Sequence, residues 1–165
     1  MIKLPTAQAR IAIIAAFAAW LSAMPATAEA GPALFTRMAG GWSGGGRVVF
    51  SDGRDEFIRC RASFADEAGA ALEQHLRCAS DSYNFDIGST VEAQGSELSG
   101  NWNEATRNVA GQIEGRVLGN RIEAHVQAAQ FQADLALSVA GNAMHVTLVP
   151  QSNDVRQIEV TLRRG

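Results

Sequence analysis

From residue 46 to the C-terminus, apolar and polar positions alternate with a period of two. Ile58, Cys60, Ala62 and Phe64 are interleaved with Arg59, Arg61 and Ser63, and Asp66 to Gly69 turns the chain. Leu72, Leu76 and Cys78 then alternate with Glu73, His75 and Arg77, Asp81-Ser82 turns again, and Tyr83, Phe85 and Ile87 begin another run. The second half repeats this: Leu98, Gly100 and Trp102; Val109, Gly111 and Ile113; Ile122, Ala124 and Val126; Phe131 to Val139; Met144, Val146 and Leu148; Ile158, Val160 and Leu162. Gly119-Asn120, Gly141-Asn142 and the stretch from Pro150 to Asp154 supply turns between them. Half-buried strands separated by turn residues at roughly 8–12-residue intervals predict an all-β domain. The pattern predicts about ten strands, with helix only over Pro32 to Met38.

Short connections make successive strands antiparallel neighbours, so the predicted architecture is an up-and-down meander. Closing it into a barrel removes the edge strands that would otherwise invite aggregation. The polar positions are Arg, Glu, Gln, Ser and Asn, a face that water accepts and lipid does not, which excludes a membrane barrel. If the turn after Phe64 centres on Gly69, Ala62 faces Leu76 and Cys60 faces Cys78. Opposed cysteines on antiparallel strands can close a disulfide. The same register sets Arg61 against Arg77 on the outer face, where like charges are unfavourable. Acidic neighbours or an anionic partner are therefore expected there.

The first thirty residues read as an export signal. Lys3 and Arg10 precede an apolar run from Ile11 to Ala23, Pro25 breaks it, and overlapping A-x-A sites follow. The run is shorter than the roughly 20 residues a membrane span needs. The expected organisation is a signal peptide over 1–30, cut after Ala28 or Ala30, and a single barrel domain over 31–165, in the periplasm or secreted. Removing 30 of 165 residues leaves 135, with 12 arginines, 16 acidic residues and a net charge of 12 − 16 = −4. A mildly acidic, mixed surface gives no reason to expect nucleic acid or a membrane as partner.

Candidate chemistry is sparse. Gly44-Gly45-Gly46 does not complete a phosphate loop, since Val49 stands where a third glycine would be needed and no G-K-[ST] follows. His75, His125 and His145 fall on separate strands at polar positions, and no metal or cofactor motif is present. No nucleophile has a histidine and an acid placed beside it by pattern, so no catalytic residue is assigned. What stands out is charge on the apolar parity: Glu56 two residues before Ile58, Glu104 two after Trp102, and Arg156 two before Ile158. Buried charge is costly unless paired. These residues either hold the barrel's ends closed or form a ligand site, with Arg156 facing an acidic group and Glu56 and Glu104 in support.

Gly40-Gly41-Trp42, a G-x-W at the first strand just after a short helix, resembles the calycins, the lipocalin and fatty-acid-binding-protein group. Strand count and length are closer to the ten-stranded members. The resemblance implies that Trp42 closes one end of the barrel beneath an arginine from the last strand, which Arg156, Arg163 or Arg164 could supply. A second G-x-W, Gly100-Asn101-Trp102, which lipocalins do not require, either marks the opposite wall or is coincidental. The chain also looks like small exported proteobacterial proteins. Two functions are implied. One is non-enzymatic carriage of a small apolar or acidic ligand in the lumen, with Trp42, Glu56, Trp102, Glu104 and Arg156 as its residues. The other is binding an envelope protein partner through the rim of a filled barrel, like small periplasmic metalloprotease inhibitors. Interior glycines such as Gly44, Gly46, Gly100, Gly111 and Gly115 would serve either, by leaving room or by permitting sharp bends.

Overall fold

A computed structural model describes residues 30–151 and 154–165. The expected signal peptide and its cleavage sites lie outside the described residues, apart from Ala30. One helix, α1 (Ala30–Met38), precedes ten strands: β1 (Gly40–Phe50), β2 (Asp55–Glu67), β3 (Ala71–Ala79), β4 (Asn84–Gln94), β5 (Glu97–Glu104), β6 (Val109–Leu118), β7 (Arg121–Ala128), β8 (Phe131–Ala140), β9 (Ala143–Pro150) and β10 (Val155–Arg164). Each strand pairs antiparallel with its neighbours in sequence, and β1 pairs with β10 to close the barrel. Alternation therefore dictates the two faces: Ile58, Cys60, Ala62 and Phe64 point inward and are buried, while the residues between them are exposed.

The two halves of the barrel are filled differently. At one end α1 lies across the opening, with Leu34, Phe35 and Met38 fully buried against inward side chains such as Phe64, Leu72, Leu98 and Met144. The Trp42 indole N–H donates to the Met38 carbonyl at 2.7 Å. The Arg164 guanidinium sits 4.5 Å from the centre of the Trp42 ring and donates to the carbonyls of Arg37 and Ala39. Arg164, and neither Arg156 nor Arg163, is thus the arginine over the tryptophan. It ties the last strand to the end of the helix by a cation–π contact and by capping helix carbonyls.

The disulfide joins Cys60 and Cys78, and Arg61 lies opposite Arg77 as the register requires. The glycines Gly44 and Gly46 are sites of close approach. A Cβ built on Gly44 would come within 2.1 Å of the Thr161 carbonyl oxygen, and one on Gly46 within 1.7 Å of that of Glu159. Gly100, Gly111 and Gly115 likewise lie against neighbouring carbonyls. The space beside these glycines is taken by the adjoining strand, so they serve the coiling of the sheet.

Alternation fails at one place. The β1–β10 register shifts between Val49 and Phe50, with Val49 opposite Gln157 but Phe50 opposite Val155. Arg156 is the extra residue of this bulge and is exposed, while Val155 packs against the core. A bulge inverts parity beyond it, which corrects the expectation that Arg156 lies on the inner face.

Candidate functional site

The barrel end opposite α1 is formed by the β1–β2, β3–β4, β5–β6, β7–β8 and β9–β10 connections. Several inward-facing apolar residues in this half retain partial exposure, Phe85 and Ile87 on β4, Trp102 on β5, Leu135 on β8, Leu148 on β9 and Ile158 on β10, whereas Val48, Phe50, Ile58 and Ala133 are buried. Leu135, Leu148 and Ile158 lie side by side in register, and so do Leu137, Val146 and Val160 one level deeper. The inner face is thus partly reached by solvent at this end, while α1 covers the other.

Aromatic rings dominate the mouth. Tyr83 stacks with Phe85 at a centroid distance of 6.2 Å, and Phe50 lies 5.8 Å from Tyr83. Across the mouth, Trp102 meets the edge of Phe131 at 5.7 Å. Arg54 stands 4.9 Å over the Phe50 ring and Arg107 5.2 Å over that of Phe85. The Trp102 indole N–H is buried without an acceptor. A buried donor left unpaired costs about 1–3 kcal/mol, so a ligand atom able to accept a hydrogen bond there would be favoured.

The two sequence-predicted carboxylates are held by the turns. Glu104 is 5% exposed, and its oxygens accept from the backbone N–H groups of Asp86, Thr106 and Arg107 at 3.1, 3.1 and 2.7 Å. Burial alone would raise its pKa. The Asp86 amide, the Thr106 hydroxyl and the amides of Arg107 and Thr106 outweigh burial and bring it down to about 2. Glu56 accepts from the hydroxyls of Ser80 and Ser82 and from the Ser82 N–H. Those hydroxyls, Ser82 first, draw its pKa below the ordinary value against a smaller contribution from burial. Both carboxyl groups are held below their ordinary pKa, and their hydrogen bonds go to the β3–β4 and β5–β6 turns and to Asp86 near the start of β4.

The structure thus brings Trp102, Glu56 and Glu104 to the mouth, leaves Arg156 exposed beside it, and places Trp42 at the far end under the helix. Sequence reasoning missed the ring of Phe50, Tyr83, Phe85 and Phe131. The available signal was that Phe50 ends β1 while Phe85 and Phe131 stand on the apolar parity at the start of β4 and β8, all at the mouth end. Among the described residues, no three His, Cys, Asp or Glu side chains gather to hold a metal.

No family model matches this sequence, and no curated protein does. The structure is similar to that of an S-type phycobiliprotein lyase, CPES, from Guillardia theta, with a TM-score of 0.57 over 81% of this chain and 91% of that one, at 9% identity. That likeness extends to the fold alone.

Proposed function

We propose that this protein is an exported, non-enzymatic barrel that binds a small, largely apolar ligand through the mouth opposite α1. The observation that carries the reading is the set of inward-facing, partly exposed apolar side chains behind two aromatic pairs, Tyr83–Phe85 and Trp102–Phe131. Concave, mostly apolar sites with a few polar groups are the usual form of small-molecule sites. The ligand's apolar body lies against Leu135, Leu148 and Ile158, which stand side by side on one wall. An acidic or carbonyl group on it accepts from the Trp102 indole or meets Arg107 at the rim, the role first expected of Arg156. Export is supported by the leader-like first thirty residues and by the disulfide, which belongs to oxidising compartments. The solved relative is named as a lyase of phycobiliproteins, and no lyase step is carried over here.

Partner binding through the rim needs a continuous apolar surface there. The large exposed apolar residues Phe57, Leu118 and Val149 stand apart on three strands and point outward, so this reading is not favoured.

A titration with 1-anilinonaphthalene-8-sulfonate, an apolar fluorophore with one acidic group, tests the proposal. Saturable one-to-one binding is expected, abolished when Val160→Phe fills the lumen and unchanged when Val149→Thr alters the outer wall. Binding that survives Val160→Phe would place the probe elsewhere and overturn the lumen site.

A further inference from the structure

We propose a second site on the outer wall of β1–β3, over the disulfide: a receptor for a compact polyvalent oxyanion, the phosphate or sulfate group of a soluble molecule. It is independent of the lumen. Four arginines, Arg59, Arg61, Arg156 and Arg163, make neither an ion pair nor a hydrogen bond among the described residues, although Arg59 rests on the Phe57 ring at 5.3 Å. Three of these four are rooted on or beside this wall, Arg59 and Arg61 on β2 and Arg163 on the adjoining β10. Ser43 on β1 is in register with Arg163 on β10 at one side and Arg61 on β2 at the other. Arg61 lies directly opposite Arg77 on β3, and Gly45 is in register with Arg59. At about 4.8 Å per strand, Arg61 and Arg163 are rooted about 10 Å apart, with the small Ser43 between them. Arginine side chains of that reach can close on one oxyanion, with the Ser43 hydroxyl beneath it as a further donor.

The wall forms a hollow lined by Ser43, Arg59, Arg61, Ser63 and Arg77 among others, with Arg163 rooted beside it, opposite Ser43. Among the described residues its charge is not balanced by ion pairs. Asp86 takes both Arg77, at 3.0 Å, and His75, at 2.9 Å, which leaves Arg61 facing a like charge with no counter-ion. Glu159, the next acidic group on β10, is in register with Arg47 and accepts from Gln157. A comparable hollow on the opposite wall shows the contrast. There Arg121 pairs with Glu123, Arg116 with Glu97 and His125 with Asp134. Directly opposed like charges destabilise a sheet. On one wall of a net-acidic chain they are left uncompensated, side by side, over a floor of small residues. The acidic groups around the patch, Asp86 and Glu159, favour a compact anion over an extended anionic surface, because a membrane plane would press against them too. The disulfide joins the residues that directly precede Arg61 and follow Arg77, so it fixes their opposition.

The test is isothermal titration of pyrophosphate into the oxidised protein at low ionic strength. Saturable one-site binding is expected. It should weaken about tenfold with each of Arg61→Gln and Arg163→Gln, the size of one lost charge-assisted contact, and be unchanged by Arg116→Gln on the opposite wall. Without anion, Arg61→Gln should melt at a higher temperature than the wild type, because it relieves the repulsion with Arg77; that melt also shows the variant to be folded. Absence of saturable binding would overturn the proposal, as would equal weakening by Arg116→Gln. So would Arg61-dependent binding to phosphatidylglycerol vesicles with none to pyrophosphate, which would make the patch a membrane contact instead.

Discussion

Replacing Glu104 by glutamine probes how the mouth is held together. In the folded chain its carboxylate satisfies three backbone N–H groups at the β5–β6 turn and on β4, and its pKa is lowered from 4.5 to about 2. The sign follows from linkage. A carboxyl group with a depressed folded pKa contributes stability that is complete above its unfolded pKa and disappears as pH falls through the folded one. At about 1.36 kcal/mol per unit, the full shift corresponds to about 3 kcal/mol. The neighbouring Arg107 is largely solvated, and screening at the rim reduces this to about 2 kcal/mol. Glutamine keeps the shape but offers one acceptor oxygen, so its NH2 group confronts a backbone donor. Urea denaturation of both proteins at pH 7, 5 and 3 measures the difference directly. Glu104→Gln should be less stable by about 2 kcal/mol at pH 7 and 5, with the gap narrowing by pH 3 as the wild-type carboxylate nears protonation. Equal stability at pH 7, or a gap that does not change between pH 7 and pH 3, would refute the reasoning.

Other perturbations report on other parts of the fold. Arg164→Ala removes the cation over Trp42 and two hydrogen bonds to the end of α1. It should cost about 2 kcal/mol and shift tryptophan emission to the red; an unchanged spectrum and melt would deny Arg164 its role in closing the barrel. Gly46→Val would drive a side chain into the Glu159 carbonyl, so the circular dichroism of a folded barrel should be lost or its melting temperature fall steeply. A well-folded Gly46→Val protein would show that the strands do not approach as described. Opening the loop that the disulfide closes, 18 residues apart in sequence, should cost about 3 kcal/mol in the Cys60→Ser/Cys78→Ser double variant. Alkylation of both cysteines without reduction would show that the bridge does not form.

Most of the architecture was legible because a meander is local. Each strand pairs with the next, so a turn located to within a residue fixes the register, as the Gly69 turn fixed Cys60 against Cys78 and Arg61 against Arg77. Closure brings together residues far apart in sequence, and there the pattern is silent. Three arginines were open to stack on Trp42, and only the β1–β10 register selects Arg164. The bulge beside Phe50 carries no composition signal, and it moves Arg156 from the inner face to the outer one. Glu56 and Glu104 were singled out by parity, but whether a carboxylate meets a ligand or a backbone turn depends on what folds over it. The glycines were ambiguous for the same reason: an empty Cα position borders a cavity or a neighbouring strand, and here it is the strand.

If the mouth opposite α1 holds a small ligand, protein purified from its own source carries one. Native mass spectrometry should then show an additional small-molecule mass on the oxidised chain, absent from the Val160→Phe variant purified in parallel. A bare chain that co-purifies with a second polypeptide would contradict that reading.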